Sequence, residues 1–218
     1  RRKRPADVLL AWSKFVNNLS ASQGKTDVTL LMHTDPMDPE GPNLLSVTES
    51  LGIKDSVVFS TERVDFDKMN VLHNISDACI NIAYAEGFGL ATLESMQCGN
   101  PVIAAKTGGL TRQVVDHRDG SENGFALDVT YQSLVGSQQV PYIYEDYVDI
   151  DDTVEAIQKM YDLGPDGRYE LGKKSRAYVM SEFKHQDTID KWHDSMLGLV
   201  KDWKSGKRKR WTINEVNP

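Results

Sequence analysis

The sequence predicts an α/β domain with a mainly parallel sheet and helices on both faces, and three observations carry that prediction. Short apolar runs of strand length at 28–32, 56–60, 78–83 and 101–105 alternate with longer segments of helical periodicity. The runs Ala78-Cys79-Ile80-Asn81-Ile82-Ala83 and Pro101-Val102-Ile103-Ala104-Ala105 are apolar almost throughout, as in strands buried on both faces. Glycine-containing loops follow these two runs, at 86–90 and 107–109. Those are the carboxyl ends of strands, where such sheets bind ligands.

The elements can be read in order. Pro5 opens a helix, a position where proline is tolerated, and Val8, Leu9, Trp12, Phe15, Val16 and Leu19 form its apolar stripe. Residues 24–27 turn into the strand 28–32, whose end presents His33, Thr34 and Asp35. His33 is read as a polar residue at a loop mouth in preference to a ligand contact, because it has no evident partner. Residues 35–42 form a loop rich in proline and glycine. Asn43 caps a helix through Leu51, which Gly52 ends. The strand 56–60 leads through Thr61-Glu62-Arg63-Val64 to a helix at 66–75.

Beyond the central unit, 108–115 is helical and 123–127 is a short strand. Residues 130–147 form a local insertion rich in tyrosine and glutamine, whose aromatics are read as packing over the sheet edge rather than stacking on a sugar. Asp151 or Asp152 caps a helix from Thr153, residues 162–167 break it, and 169–179 form the next. Ile189, Trp192, Met196, Leu199 and Val200 mark a final amphipathic helix. The domain is placed at 1–203 and a basic tail at 204–218.

Composition excludes several functions. With 218 residues and 39% apolar content the chain buries a real core, as one domain or two small ones. A net charge of −7 argues against a broad nucleic-acid footprint. There is no 18-residue apolar run and no signal-peptide pattern. Cys79 and Cys98 form no CxxC pair and read as core residues from a reducing, cytoplasmic compartment. The tail Lys204-Ser205-Gly206-Lys207-Arg208-Lys209-Arg210-Trp211 reads first as a solvated end. Peripheral contact with anionic membrane and a nuclear-localisation-like run stand as the other readings.

The chemistry lies in Glu86-Gly87-Phe88-Gly89-Leu90 and the helix after it. Gly87 and Gly89 permit positive φ and close backbone approach, and the first N–H groups of the helix point into the loop. A helix N-terminus favours phosphate. Glu86 and Glu94 would repel that anion, so they suit ligand hydroxyls instead. A ribose diol offers two donors to one carboxylate and a sugar offers more, so these features describe a nucleotide-sugar pocket.

The segment EGFGLATLESMQCGNPVIAAKTGGL resembles the donor-binding segment of retaining GT-B glycosyltransferases with an E-x7-E motif, the group 1 family. The resemblance runs in order over about residues 1–200. It implies a Rossmann-like domain, the C-terminal half of a GT-B fold, with an acceptor-binding half upstream. It also implies transfer of a sugar from a UDP-, GDP- or ADP-sugar to a glycan or other hydroxyl acceptor with retention of configuration, without metal or other cofactor. By the same resemblance Glu94 holds the ribose diol and Glu86 contacts the donor sugar. Gly87, Phe88, Gly89 and Leu90 offer main-chain groups to sugar and phosphate.

Relatives carry an Arg-x4-Lys pair for the diphosphate. Alignment puts the lysine at Lys3, while a shift of one selects Arg2 or Arg4. Arg63 has two readings, a donor phosphate contact or an ion pair with Glu62 or Asp65. Arg112 stands where many relatives have an acid, so that role does not carry over. Two other functions share the fold: a non-catalytic sugar-nucleotide binding module and a nucleotide-sugar epimerase.

Overall fold

The computed structural model describes residues 2–24 and 26–207. Residues 208–218, most of the basic tail with its solvated-end, membrane-contact and nuclear-localisation readings, lie outside the described residues. The chain divides into two units, one through Val179 and one from Met180.

In the first unit α1 (Pro5–Gln23) leads to β1 (Leu30–His33), α2 (Leu44–Ser50) and β2 (Val57–Ser60). A 3-10 turn at Phe66–Lys68 precedes α3 (Met69–Asn74), and the predicted helix at 66–75 is therefore split. β3 (Cys79–Asn81), α4 (Leu90–Gln97), β4 (Val102–Ala105), α5 (Gly108–Val114) and β5 (Gly124–Leu127) follow. A pair of strands, β6 (Tyr131–Val135) and β7 (Ile143–Tyr147), precedes α6 (Ile150–Asp162) and α7 (Gly164–Glu182).

Among the described residues five strands are parallel, in two hydrogen-bonded sheets. β1 pairs with β2, and β4 lies between β3 and β5. β1 starts two residues later than the sequence suggests. Its first partner is Val57 opposite Leu30, because Lys54–Ser56 are wound into a 3-10 turn and cannot extend the ladder backwards. The predicted insertion is an antiparallel hairpin, Tyr131 opposite Tyr147 and Val135 opposite Ile143.

The two faces of β4 show how helices cover the sheet. All four residues of β4 are buried. Ile103 and Ala105 share a core with Leu9, Phe15 and Leu19 of α1 and Ala156, Ile157 and Met160 of α6. Side chains alternate along a strand, so Val102 and Ala104 point to the opposite face. Helices α4 and α5 pack against the strand as well, with Met96, Leu110 and Val114 fully buried. Burying one such side chain contributes about 1.5–3 kcal/mol, and both faces of the central strand draw on that term.

Two helix boundaries differ from the sequence reading. Asp149, not Asp151 or Asp152, caps α6, its carboxylate accepting from Asp151 N at 2.6 Å and Asp152 N at 3.4 Å. The break expected over 162–167 shrinks to Leu163. Gly164 reverses the chain at φ 64° and Pro165 sits in the first turn of α7, where its missing N–H costs nothing.

In the second unit α8 (His185–Lys204) carries Ile189, Trp192, Met196, Leu199, Val200 and Trp203 on one helical face, all exposed. Among the described residues no helix is long and apolar enough to cross a membrane.

Candidate donor site

The loop between β3 and α4 is pinned at both ends by one side chain. Asn81, the last residue of β3, accepts from Ala83 N at 3.2 Å and donates to Thr92 Oγ1 at 3.0 Å in the first turn of α4. The strand exit and the helix entry are therefore held together.

The next loop over, 107–109, presses against it. Gly109 N donates to Glu86 O at 2.9 Å. A Cβ on Gly108, which has φ 47°, would lie 2.1 Å from Glu86 O, and one on Gly109 would lie 2.6 Å from Phe88 O. Only glycine allows this approach. Gly89 caps α4 at φ 91°, and a Cβ there would meet Leu110 Cδ2 at 2.7 Å. The fully buried Gln113 donates to Phe88 O at 2.6 Å from below. Gly87 differs from expectation. It is not at positive φ and has open space on its Cβ side, while its carbonyl oxygen packs against Gly109.

The N-terminal segment completes the charged part. Tyr84 N donates to Arg2 O at 3.0 Å and Arg2 Nη1 to Ala85 O at 2.7 Å, which lays residues 2–3 along the loop. The Lys3 ammonium is ion-paired with Glu86 Oε2, and Arg2 Nη1 is 3.2 Å from the same oxygen. Burial, reinforced by Arg2, pushes the Lys3 pKa down. A cation that is costly to keep charged gains most from an anion brought to it.

Arg4, the third reading of the basic cluster, has another task. It is buried at φ 53° and bonds Asp7 at 2.8 Å. Its guanidinium lies 5.0 Å above the Tyr84 ring and 5.4 Å from that of Tyr147. This cluster anchors the hairpin. Tyr147 packs on Tyr84 with ring centroids 4.5 Å apart, and burial with the neighbouring Glu145 pushes its hydroxyl up to about 12. Asp146 N donates to Tyr84 O at 2.8 Å, while Thr107 Oγ1 donates to Asp146 Oδ2 at 2.5 Å. The expected packing of the insertion's aromatics therefore holds at its base. Tyr142 and Tyr144, further out, are exposed.

Glu94 lies elsewhere, in the second turn of α4. It faces a cavity of about 370 Å³ between α3 and α4, lined also by Asp67, Asn70, His73, Gln97 and Arg176. His33 Nδ1 is 3.0 Å from Ser60 Oγ, joining the ends of β1 and β2, and it lines a second cleft of about 400 Å³ with Lys3 and Asp35. Arg63 is exposed on the loop after β2. Among the described residues it has no ion pair with Glu62 or Asp65, and Asp65 pairs with Lys68 instead. The structure thus brings Lys3, Glu86 and the glycines together and sets Glu94 apart with His73.

Four participants were not singled out from sequence: Gln113, Asn81, His73 and Asp146. Their roles rest on contacts across the fold, with Asn81 meeting Thr92, Gln113 meeting Phe88 and Asp146 meeting Thr107, 11, 25 and 39 residues away.

The family model for glycosyl transferases group 1 matches residues 38–136, which include both glutamates, the intervening glycines and the 107–109 loop. Over those residues the chain is similar to that family. The chain is 25% identical over 94% of its length to N-acetyl-alpha-D-glucosaminyl L-malate synthase of Bacillus anthracis, 45% of which it covers. It spans less than half the length of the curated relatives it matches. Its fold is that of the C-terminal domain of GT-B glycosyltransferases. It superposes on the C-terminal domain of a group 1 protein from Francisella tularensis with a TM-score of 0.62 and 18% identity, covering 84% of this chain and 81% of that one. Anabaena HepE, solved in complex with UDP and glucose, gives a TM-score of 0.65 at 19% identity, with 90% of this chain and 45% of that chain covered.

Proposed function

We propose that residues 1–203 form the donor-binding domain of a retaining glycosyltransferase, which moves a sugar from a nucleoside diphosphate sugar to an acceptor hydroxyl. The observation that carries this reading is the loop 86–89, fixed by Gly108, Gly109 and Gln113 at the start of α4 with Lys3 already ion-paired to Glu86. Such a loop offers main-chain N–H groups of Gly87 to Leu90 to phosphate and sugar oxygens without reorganisation. Lys3 neutralises charge growing on the departing diphosphate, and Arg63, whose side chain is exposed, adds to that effect. Glu86 orients Lys3 and accepts from sugar hydroxyls. Glu94 accepts from the ribose diol in the α3–α4 cavity. The UDP and glucose held by HepE, which shares the fold, make a UDP-sugar the first donor to test.

Calorimetric titration of the chain with UDP, GDP and ADP, alongside Glu94→Ala, tests the reading. One nucleotide binds, and the substitution weakens it by about 1–3 kcal/mol, as for loss of a charged hydrogen-bond partner. A folded chain that binds none of the three overturns it.

A further inference from the structure

We infer that His73 is a positioning residue for Glu94, holding its carboxylate in the orientation that receives the nucleotide ribose; this rests on the donor reading above. His73 sits in the last turn of α3, and its Nε2 is buried with no hydrogen-bond partner among the described residues. That nitrogen lies 3.8 Å from Glu94 Oε2, with the His73 side chain mostly buried and that of Glu94 about a third exposed. A buried ring nitrogen without a partner is costly, and a small rotation of the carboxylate supplies one.

The backbone holds the pair in place independently of either side chain. Asn100 Nδ2 donates to His73 O at 2.7 Å and to Ser95 Oγ at 3.1 Å, tying the end of α3 to the residue beside Glu94. The other charged groups around the cavity, Asp67 and Arg176, are not ion-paired with Glu94 in the structure, and Arg176 donates to Gln97 O at 2.8 Å. Among the described residues His73 is the basic side chain found within 4 Å of the Glu94 carboxylate.

A carboxylate offers about four lone-pair directions. A cis diol uses one on each oxygen, which leaves Oε2 free to accept from His73 at the same time. Without that third bond Glu94 is a flexible side chain at the rim of an open cavity, and ordering it falls to the ligand. His73 therefore acts through Glu94, and its contribution appears only with a ligand that engages Glu94.

Titration with UDP and 2′-deoxy-UDP reads this directly. His73→Ala weakens UDP binding by about twofold to tenfold, the range of one hydrogen bond, and moves 2′-deoxy-UDP by much less. His73→Gln, which keeps an N–H near the position of Nε2, restores UDP affinity. A His73→Ala chain that loses both ligands equally, or neither, overturns the inference while the donor reading stands. If Glu94→Ala itself does not discriminate UDP from 2′-deoxy-UDP, the ribose role of Glu94 fails and the inference with it.

Discussion

The two glutamates of the motif occupy unlike surroundings. The Glu86 side chain is 10% exposed, and one of its oxygens is shared by Lys3 and Arg2. The Glu94 side chain is 36% exposed and faces an open cavity with His73 at 3.8 Å. A carboxylate that already holds two cations is part of the frame, fixing where positive charge stands. On the function proposed above, one with unused lone pairs is part of the receiving surface. On that same reading, identical residues eight positions apart are weighted differently, Glu86 towards preorganisation and Glu94 towards recognition, and each end can be broken separately.

The largest effect is expected at the Glu86 end. Gly108→Ala forces a Cβ to within 2.1 Å of Glu86 O at a φ of 47°. It should cost about 3 kcal/mol or more in urea unfolding, combining overpacking with left-handed strain, and abolish nucleotide binding. Gly99→Ala, just past the other end of α4, has the same kind of strain at φ 93° but open space. About 1 kcal/mol is expected there, with binding retained. Equal losses from the two variants would mean that the 107–109 loop is no more tightly packed than an ordinary helix end.

Next in size is the contrast between the carboxylates themselves. Glu94→Gln should leave the unfolding midpoint nearly unchanged while weakening nucleotide binding by about 1–3 kcal/mol. Glu86→Gln should do the reverse in part. Its ion pair with a half-exposed Lys3 is worth about 1 kcal/mol or less in stability, yet the sugar transfer proposed above should fall further than nucleotide affinity does. Binding lost equally in both variants would erase the division between frame and receiving surface.

The sequence makes one half of this picture readable. β3, α4, β4 and α5 appear close to their expected places, and Gly99 ends α4 as read; β4 is buried throughout, as its unbroken apolar run suggests, whereas β3 is shorter than its run and only partly buried. The loops are read because glycine is required where Gly89, Gly108 and Gly109 lie. What sequence could not show is which polar groups meet. Arg4 looks like its neighbours Arg2 and Lys3, but it is buried between Asp7 and two tyrosines, one of them 143 residues later. Gln113 and His73 are ordinary helix residues until the fold sets them beside Phe88 O and Glu94. Gly87 errs the other way, since a glycine within a motif suggests strain that the backbone there does not have.

A smaller effect follows from Gly87. Gly87→Ala should fold with unchanged stability, since its Cβ meets nothing within 4 Å and no positive φ is imposed. Any loss should appear in donor affinity alone, as a methyl group standing where ligand approaches. A fall in the unfolding midpoint comparable with that of Gly89→Ala would show that the open space beside Gly87 is not there in solution.

The smallest effect is a control that touches neither glutamate. Asp116 follows α5 and is gripped by Arg118, with Nη2 to Oδ2 at 2.7 Å and Nε to Oδ1 at 2.9 Å. The Arg118 hydrogen bond holds its carboxyl down to about 2. An unfolded aspartate has a pKa near 3.9. Between those values the unfolded chain binds more protons than the folded one, so stability rises with pH across that window and is lost as pH falls from about 4 towards 2. Asp116→Asn should flatten that limb slightly and leave nucleotide affinity at neutral pH as it was. If it weakens binding as well, the α5 end is coupled to the loop above it through Gln113. The frame around Glu86 would then extend further into the domain than its direct contacts.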